Sequence, residues 1–149
     1  MPSEILIFVL DQQRYALPSM LVQELARAVE IISVPGAPAT LAGVIEYRGK
    51  VVPVLNLRHC LGLTPRTLQA TDYLIILRVD KCLYAIRVDR ALDVSSIDAA
   101  RNEEMWACHS GSMVVHVQEG TVIVLNLVPL LKGLDGAIRP IDTDPHHAL

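Results

Sequence analysis

Gly43-Val44-Ile45-Glu46-Tyr47-Arg48-Gly49-Lys50-Val51-Val52-Pro53-Val54-Leu55 is the stretch whose reading decides the fold. Two apolar runs rich in β-branched residues flank Arg48-Gly49, and glycine readily takes the positive φ that a tight hairpin turn demands. The stretch therefore reads as two antiparallel strands. Pro53 has no N–H to give to a ladder, so the second strand is expected to be an edge there or to carry a bulge. Just upstream, Pro35-Gly36-Ala37-Pro38 excludes regular structure and leaves an extended or turning loop. Just downstream, Asn56 to Gly62 suits one helical turn ended by glycine.

The same grammar repeats on both sides. Ile5 to Leu10 is a continuous apolar run, too short for a typical helix, and Asp11-Gln12-Gln13 turns it into Arg14-Tyr15-Ala16-Leu17. Tyr73 to Val79 and Cys82 to Val88 form a hairpin around Asp80-Lys81, and Asp89 to Val94 follows as a further strand. Met113 to Val117 and Thr121 to Leu125 form another hairpin around Glu119-Gly120. Pro18-Ser19 is expected to open a short helix, with Ser19 as N-cap and Val22-Gln23-Glu24-Leu25 in its body. Residues 26–34 read as a strand, 64–71 as a polar connector, 95–112 as a polar loop holding Trp106, and Asn126 to Leu131 as a short helix. About nine or ten short strands with almost no helix point to a barrel or sandwich, not to a parallel α/β sheet.

An internal echo accompanies this pattern. Val51-Val52-Pro53-Val54-Leu55-Asn56-Leu57 is matched by Thr121-Val122-Ile123-Val124-Leu125-Asn126-Leu127, a strand ending in Leu-Asn-Leu and entering a short helix. Two similar halves are expected in one domain over residues 1–135, with 136–149, which carries Pro140 and Pro145, as a flexible tail.

Composition limits the function classes. Of 149 residues, 52% are hydrophobic and 19% charged, which excludes a disordered chain and predicts a large packed core. The formal net charge is −3 and the basic residues are scattered, so neither a nucleic-acid stripe nor a polybasic membrane patch is present. Three cysteines without a CxxC spacing argue against a disulfide framework and for a reducing compartment. The opening residues lack the basic start and long apolar stretch of a signal peptide, and charges interrupt every run that could span a membrane. The chain is expected to be cytoplasmic.

Catalytic and metal chemistry find little footing. The Gly-x-Ser-x-Gly, P-loop, His-Glu-x-x-His and Rossmann fingerprints do not occur. Asp89 and Asp93 on an extended segment would stand about 13 Å apart, too far to share a proton. Cys108-His109, with His59 and Cys60 elsewhere, has poor ligand spacing because adjacent strand residues point oppositely. Ser110 and Ser112 near His109 are residues that polar loops contain by chance. No enzyme activity, metal or cofactor is expected.

At this point the chain resembles the CheW-like family, the chemotaxis coupling proteins, over roughly residues 4–132. Val22-Gln23-Glu24-Leu25 resembles the family's V-x-E-I stretch, and Val34 to Pro38 its V-P-x-x-P loop. Leu41 to Arg58 is similar to its G-V-x-x-L-R-G-x-x-x-P-V-x-D-L pattern. Val88-Asp89 with Asp93-Val94 resembles its V-D-x-V-x-x-V segment, and Val122 to Leu127 its last strand. The chain departs from the pattern at Glu46, Tyr47 and Asn56, and Met113-Val114-Val115-His116 lacks a customary glycine. The resemblance implies an all-β fold of two intertwined five-stranded SH3-like barrels with short helices. It also implies a non-catalytic adaptor that joins the cytoplasmic tip of a chemoreceptor to the regulatory domain of a CheA-like histidine kinase, recruited to membrane receptor arrays without inserting into the membrane.

Within that frame Arg48 is the first candidate for the receptor face, since a guanidinium at a hairpin tip bonds carboxylates or carbonyls bidentately. The competing reading is a solvated turn residue or an internal pair with Glu46 or Glu24. Val22 and Glu24 are expected to border the same groove, unless Val22 is core and Glu24 solvated. Leu92 and Val94 would line it from the other half, or be core. Val44 and Ile45 alternate on one strand, so one should face the core and the other the kinase. Gly43 and Gly49 are expected to serve backbone geometry. A second function class remains: a small-ligand-binding or enzymatic β-barrel with the 95–112 loop as its lid.

Overall fold

The computed structural model describes residues 4–97, 106–107 and 111–138. Eleven strands form two sheets: β1 (Glu4–Leu10), β2 (Gln13–Pro18), β3 (Val22–Arg27), β4 (Leu41–Tyr47), β5 (Lys50–Leu55), β6 (Tyr73–Val79), β7 (Cys82–Val88), β8 (Arg90–Ser96), β9 (Trp106–Ala107), β10 (Met113–Val117) and β11 (Gly120–Val124). Two short helices accompany them, α1 (Leu57–Cys60) and α2 (Val128–Gly133).

One sheet has the order β8-β1-β2-β11-β10-β9 and the other β3-β6-β7-β5-β4. The chain starts the first sheet with β1–β2, leaves to build the whole second sheet, and returns through β8 to complete the first. The two halves are thereby intertwined. The first sheet has one strand beyond the expected five, the two-residue β9.

The internal echo has a topological counterpart. β5 pairs in parallel with β7 through Val54–Ala85 and Leu55–Ile86, and β11 pairs in parallel with β2 through Ile123–Tyr15 and Val124–Ala16. Each sheet thus centres on a hairpin (β1–β2 or β6–β7), with a second hairpin on one side and a single strand on the other. The central hairpins match in detail. Asp11 and Gln12 turn the first with φ of 48° and 68°, and Asp80 and Lys81 turn the second with 49° and 71°. Tyr15-Ala16-Leu17 and Tyr84-Ala85-Ile86 follow at equivalent places, a second echo that the sequence reading missed.

Why Ile5 to Leu10 is continuously apolar is now clear. Phe8 and Leu10 turn one way, into a core shared by both halves with Ile75, Leu77 and Ile86. Ile5 and Ile7 turn the other way, into the first half's own core with Val115, Val117, Val122 and Val124. On β6, Leu74 and Ile76 likewise join Ile45, Val52 and Val54 inside the second half. A strand buried on both faces needs no polar alternation. β3 and β4, which edge the second sheet, alternate more and less buried residues, and each changes core at its bulge: Val22 and Leu41 pack on the shared core, Ala26 and Ile45 inside the second half.

Pro53 follows the edge expectation. β5 joins β7 only at Val54 and Leu55, so at Pro53 the strand has no ladder on that side. The register slip lies opposite, between Leu41 and Gly43 on β4.

Several local expectations need correction. Val22 to Leu25 is strand, not helix. Only Ser19–Leu21 forms a single 3-10 turn, with Pro18 in place of Ser19 as its N-cap, and β3 then pairs antiparallel with β6. Residues 26–34 are not a continuous strand. The ladder stops at Arg27–Tyr73 because β6 begins there, and Ile32 keeps only an isolated bridge to Val44. Ser95 and Ser96 belong to β8, and Trp106-Ala107 pairs with β10, so the 95–112 segment is not wholly loop. The packed chain also continues past 135. Leu134–Gly136 is a 3-10 turn with Leu134 buried, Asp135 accepts a 2.9 Å hydrogen bond from Tyr84, and Ile138 packs on the shared core.

Candidate functional site

Arg48 occupies the first of two turn positions between β4 and β5, with φ of 50°, and Gly49 follows at 77°. Such a turn matches the twist of its strands and points the Arg48 side chain away from the sheet. The side chain is 70% exposed and forms an ion pair with Glu24 on β3. Its guanidinium carbon stands 5.4 Å from the centroid of the Tyr47 ring, which is itself buried. Of the two internal partners considered, Glu24 is thus the one engaged. β3 and β4 are opposite edges of the five-stranded sheet, so this pair joins those edges, while the Ile32–Val44 bridge ties the segment after β3 to β4. Arg48 has donors beyond the one Glu24 uses, and a partner's carboxylate or carbonyl has access to them.

The other candidates separate. Val22 is half-buried against the shared core opposite Leu77, whereas Glu24 lies opposite Ile76; the bulge between them turns the two side chains to opposite faces of β3. Leu92 is half-buried and packs on the first half's core, while Val94, two residues on, is 53% exposed. Both lie on β8, the edge strand of the other sheet. Ile45 is 2% exposed in the second half's core and offers no surface to a kinase, which corrects its candidacy. Val44 is half-exposed beside the exposed Ile32. Gly43 has a steric reason to be glycine, since a Cβ there would stand 2.3 Å from the Ile32 carbonyl oxygen. Gly49 has open space around it, and only its φ requires glycine.

The largest polar construction was missed by the sequence reading. Arg58, 5% exposed, bonds Asp11 at 2.8 Å and Asp89 at 3.0 Å, and donates to the Thr64 carbonyl at 3.0 Å. Arg66 bonds both Asp89 and the buried Asp72. Arg87 reaches toward Asp72 at 3.9 Å. The network ties the β1–β2 turn, helix α1, the 64–71 connector and the β7–β8 junction together. Burial works to raise the Asp89 pKa, but the Asp11 N–H and the Arg58 and Arg66 guanidiniums outweigh it and hold the carboxyl below its ordinary value. Asp89 is therefore a structural anion, and Asp93 lies exposed on β8. Nothing in the sequence marks this set, because its members are scattered from residue 11 to residue 89. The nearest signal was the polar 64–71 connector.

A cavity of about 360 Å³ opens beside this network, between residues 30–33, helix α1 and the connector. Arg58, Arg66, Arg87 and Glu30 are its charged lining. Among the described residues no cluster of His, Cys, Asp or Glu is placed to hold a metal ion, and no helix is long and apolar enough to cross a membrane. His59 and Cys60 lie together on α1, whereas Cys108, His109 and Ser110 fall outside the described residues.

Two intertwined, pseudo-equivalent sheets define the class of fold. The family model for the CheW-like domain matches residues 4–134, and the chain belongs to that family. The chain is 27% identical over 139 residues to the chemotaxis protein CheW of Treponema pallidum, covering 87% of this chain and 82% of that one. It is 31% identical over 94 residues to CheW of Thermotoga maritima, covering 63% and 62%. The crystal structure of the scaffolding protein TtCheW from Thermoanaerobacter tengcongensis superposes with a TM-score of 0.73 at 24% identity, covering 87% of this chain and 88% of that one, and so shares the fold. Membership makes the chain a chemotaxis adaptor, and coupling of receptors to CheA is the role of CheW.

Proposed function

We propose that this chain couples a chemoreceptor to a CheA-type histidine kinase without catalysing a reaction, and that Arg48 with Glu24 forms the centre of its receptor face. The observation that carries this reading is the exposed Arg48 guanidinium, held at a rigid turn and steered by Glu24 across the gap between two sheet edges. Val22, two residues before Glu24 on β3, would border the groove from the shared-core side, and Leu92 and Val94 would supply apolar contact from the edge strand of the other sheet. A receptor helix laid along these edges would meet one cation and several aliphatic side chains, the mix that helix-in-groove recognition uses. Val44, with Ile32 next to it, would face the kinase's regulatory domain.

Coupling in this sense is thermodynamic. An adaptor that binds one receptor state better than another passes that preference to the kinase through the free energy of the shared complex. Recruitment to membrane receptor arrays follows from receptor binding, with the chain itself remaining in the cytoplasm.

The test is binding of the purified chain to a soluble receptor cytoplasmic fragment and, separately, to the kinase regulatory domain. Arg48→Glu should lose receptor affinity and keep kinase affinity. Equal loss of both, with a lowered melting temperature, would make Arg48 a folding residue and remove the receptor face.

A further inference from the structure

The single edge strands of the two halves, β3 and β8, correspond in register. Phe8 lies opposite Tyr15 in one central hairpin and Leu77 opposite Tyr84 in the other, so Phe8 and Leu77 are equivalent. On β3, Val22 lies opposite Leu77 and Leu25 opposite Ile75, with Gln23-Glu24 at the bulge between them. On β8, Ala91 lies opposite Phe8 and Val94 opposite Leu6, with Leu92-Asp93 at the bulge between them. Leu25 and Val94 are therefore equivalent, and both are exposed, at 41% and 53%. The same register sets Asp93 where Glu24 stands. The hairpin tips correspond too: Arg48-Gly49 turns between Tyr47 and Lys50, and Gln118-Glu119 between Val117 and Gly120.

What differs between the halves is charge. In the second half the tip arginine meets the edge-strand acid, Arg48 on Glu24. In the first half Gln118 stands in the arginine's place. The tip still reaches its edge strand, where Glu119 accepts a 3.1 Å hydrogen bond from the Ser95 hydroxyl. Arg14 comes to this tip, but it donates to the Glu119 backbone carbonyl and not to a carboxylate. Asp93 is exposed and, among the described residues, has no cation of its own. A helix has a direction, whereas a groove flanked by equivalent halves accepts it equally well both ways round. Only a departure from that equivalence makes one direction better than the other.

We propose that Asp93 receives a basic side chain of the receptor, in the place that Arg48 fills beside Glu24, and so fixes the direction in which the receptor helix lies across the two halves. The inference rests on the receptor reading of Arg48. An acidic residue of the helix meets the free donors of Arg48, a basic residue meets Asp93, and the exposed Leu25 and Val94 give apolar contact on either side. The reversed helix sets like charges against each other at both ends, which is how charge selects one arrangement over another.

The experiment is a titration of the full chain with a soluble chemoreceptor cytoplasmic fragment that includes the tip, at low and at high salt, with urea melts in parallel. Asp93→Lys should weaken binding by about fivefold or more, and Asp93→Asn by about threefold. Both losses should shrink at high salt, and kinase affinity should stay unchanged. The neutral variant keeps the test decisive even where the lysine variant folds poorly. The basic residues of the receptor tip are then changed to Glu one at a time. One of these fragments should bind Asp93→Lys better than it binds the unaltered chain, a rescue that a merely structural role of Asp93 cannot give. Loss of receptor binding with Arg48→Glu but with neither Asp93 variant would overturn the direction proposal and leave the receptor face standing. Loss with none of the three would remove the receptor face itself. Weakening at Asp93 that no receptor change rescues, or that falls on the kinase, would also overturn the proposal.

Discussion

Arg48 and Glu24 join the two edges of the five-stranded sheet, one at the tip of the β4–β5 hairpin and the other on β3. The pair is exposed, so it adds little stability, about 0.2–1 kcal/mol at most. Its consequence is positional, because Glu24 restricts where the guanidinium points. Arg48→Glu should therefore abolish most receptor binding, by about tenfold or more, while the urea midpoint scarcely moves. Arg48→Lys should fall between, since a point charge replaces a fork. Isothermal titration against a receptor fragment, with parallel urea melts, measures both quantities.

Val44 tests the other face. Its substitution by Arg places a charge beside exposed Ile32 without entering the core, unlike any change at Ile45. Kinase binding should weaken by about 1–2 kcal/mol and receptor binding should persist. The opposite selectivity, or loss of neither, would reassign the face.

Gly43, at the bulge within β4, and Gly49, at the hairpin turn, should behave differently. Gly43→Ala drives a methyl into the Ile32 carbonyl at 2.3 Å, so either β4 or residues 31–32 must move. A loss of about 3 kcal/mol or more is expected, within the tail reserved for overpacking and backbone strain. Gly49→Ala meets open space and pays only for its positive φ, about 1–2 kcal/mol. Equilibrium denaturation of the two variants side by side is the measurement.

The pH dependence follows from Asp89. Its folded pKa is depressed below 3.8, so its contribution is fully present above that value and is lost as pH falls through the folded pKa. Stability should drop steeply below pH 3.8, with proton uptake on unfolding. Asp89→Asn should flatten that acid limb. At neutral pH it should also destabilise, by about 3–5 kcal/mol at the upper limit, because Arg58 and Arg66 lose a shared counter-ion. Urea melts across the pH range would show an unchanged acid limb if the network were not the cause.

Tyr84 connects the end of the described chain to the shared core. Its hydroxyl donates to Asp135, and burial together with that bond pushes its pKa up. Tyr84→Phe should cost about 1.5–3 kcal/mol, as for a hydrogen bond to a charged group. Amide exchange in residues 134–138 should accelerate with it. If only global stability fell, the Asp135 contact would not be what holds that segment.

Strand existence and hairpin pairing were legible because period, turn residues and length agree locally. Ile5–Leu10, Gly43–Leu55 and Cys82–Val88 each carry their own punctuation, and the structure places strands there. Segment 22–25 was misread because Pro18-Ser19 imitates a helix start, and exposed Leu25 blurs the alternation of β3. What decides in favour of strand is the free edge of β6, a partner some fifty residues away.

The sequence by itself determined the all-β class, the two similar halves and the glycine at the hairpin tip, since each depends on neighbours within one strand and one turn. Tertiary structure alone decided which member of an alternating pair is core, as with Ile45 against Val44, because that depends on which face of the sheet curls inward onto β5, β6 and β7. It alone joined Arg48 to Glu24, and Arg58 to Asp11 and Asp89, since long-range ion pairs have no period or spacing in the chain. It also set the cavity beside them, which exists only where three separate segments fail to close.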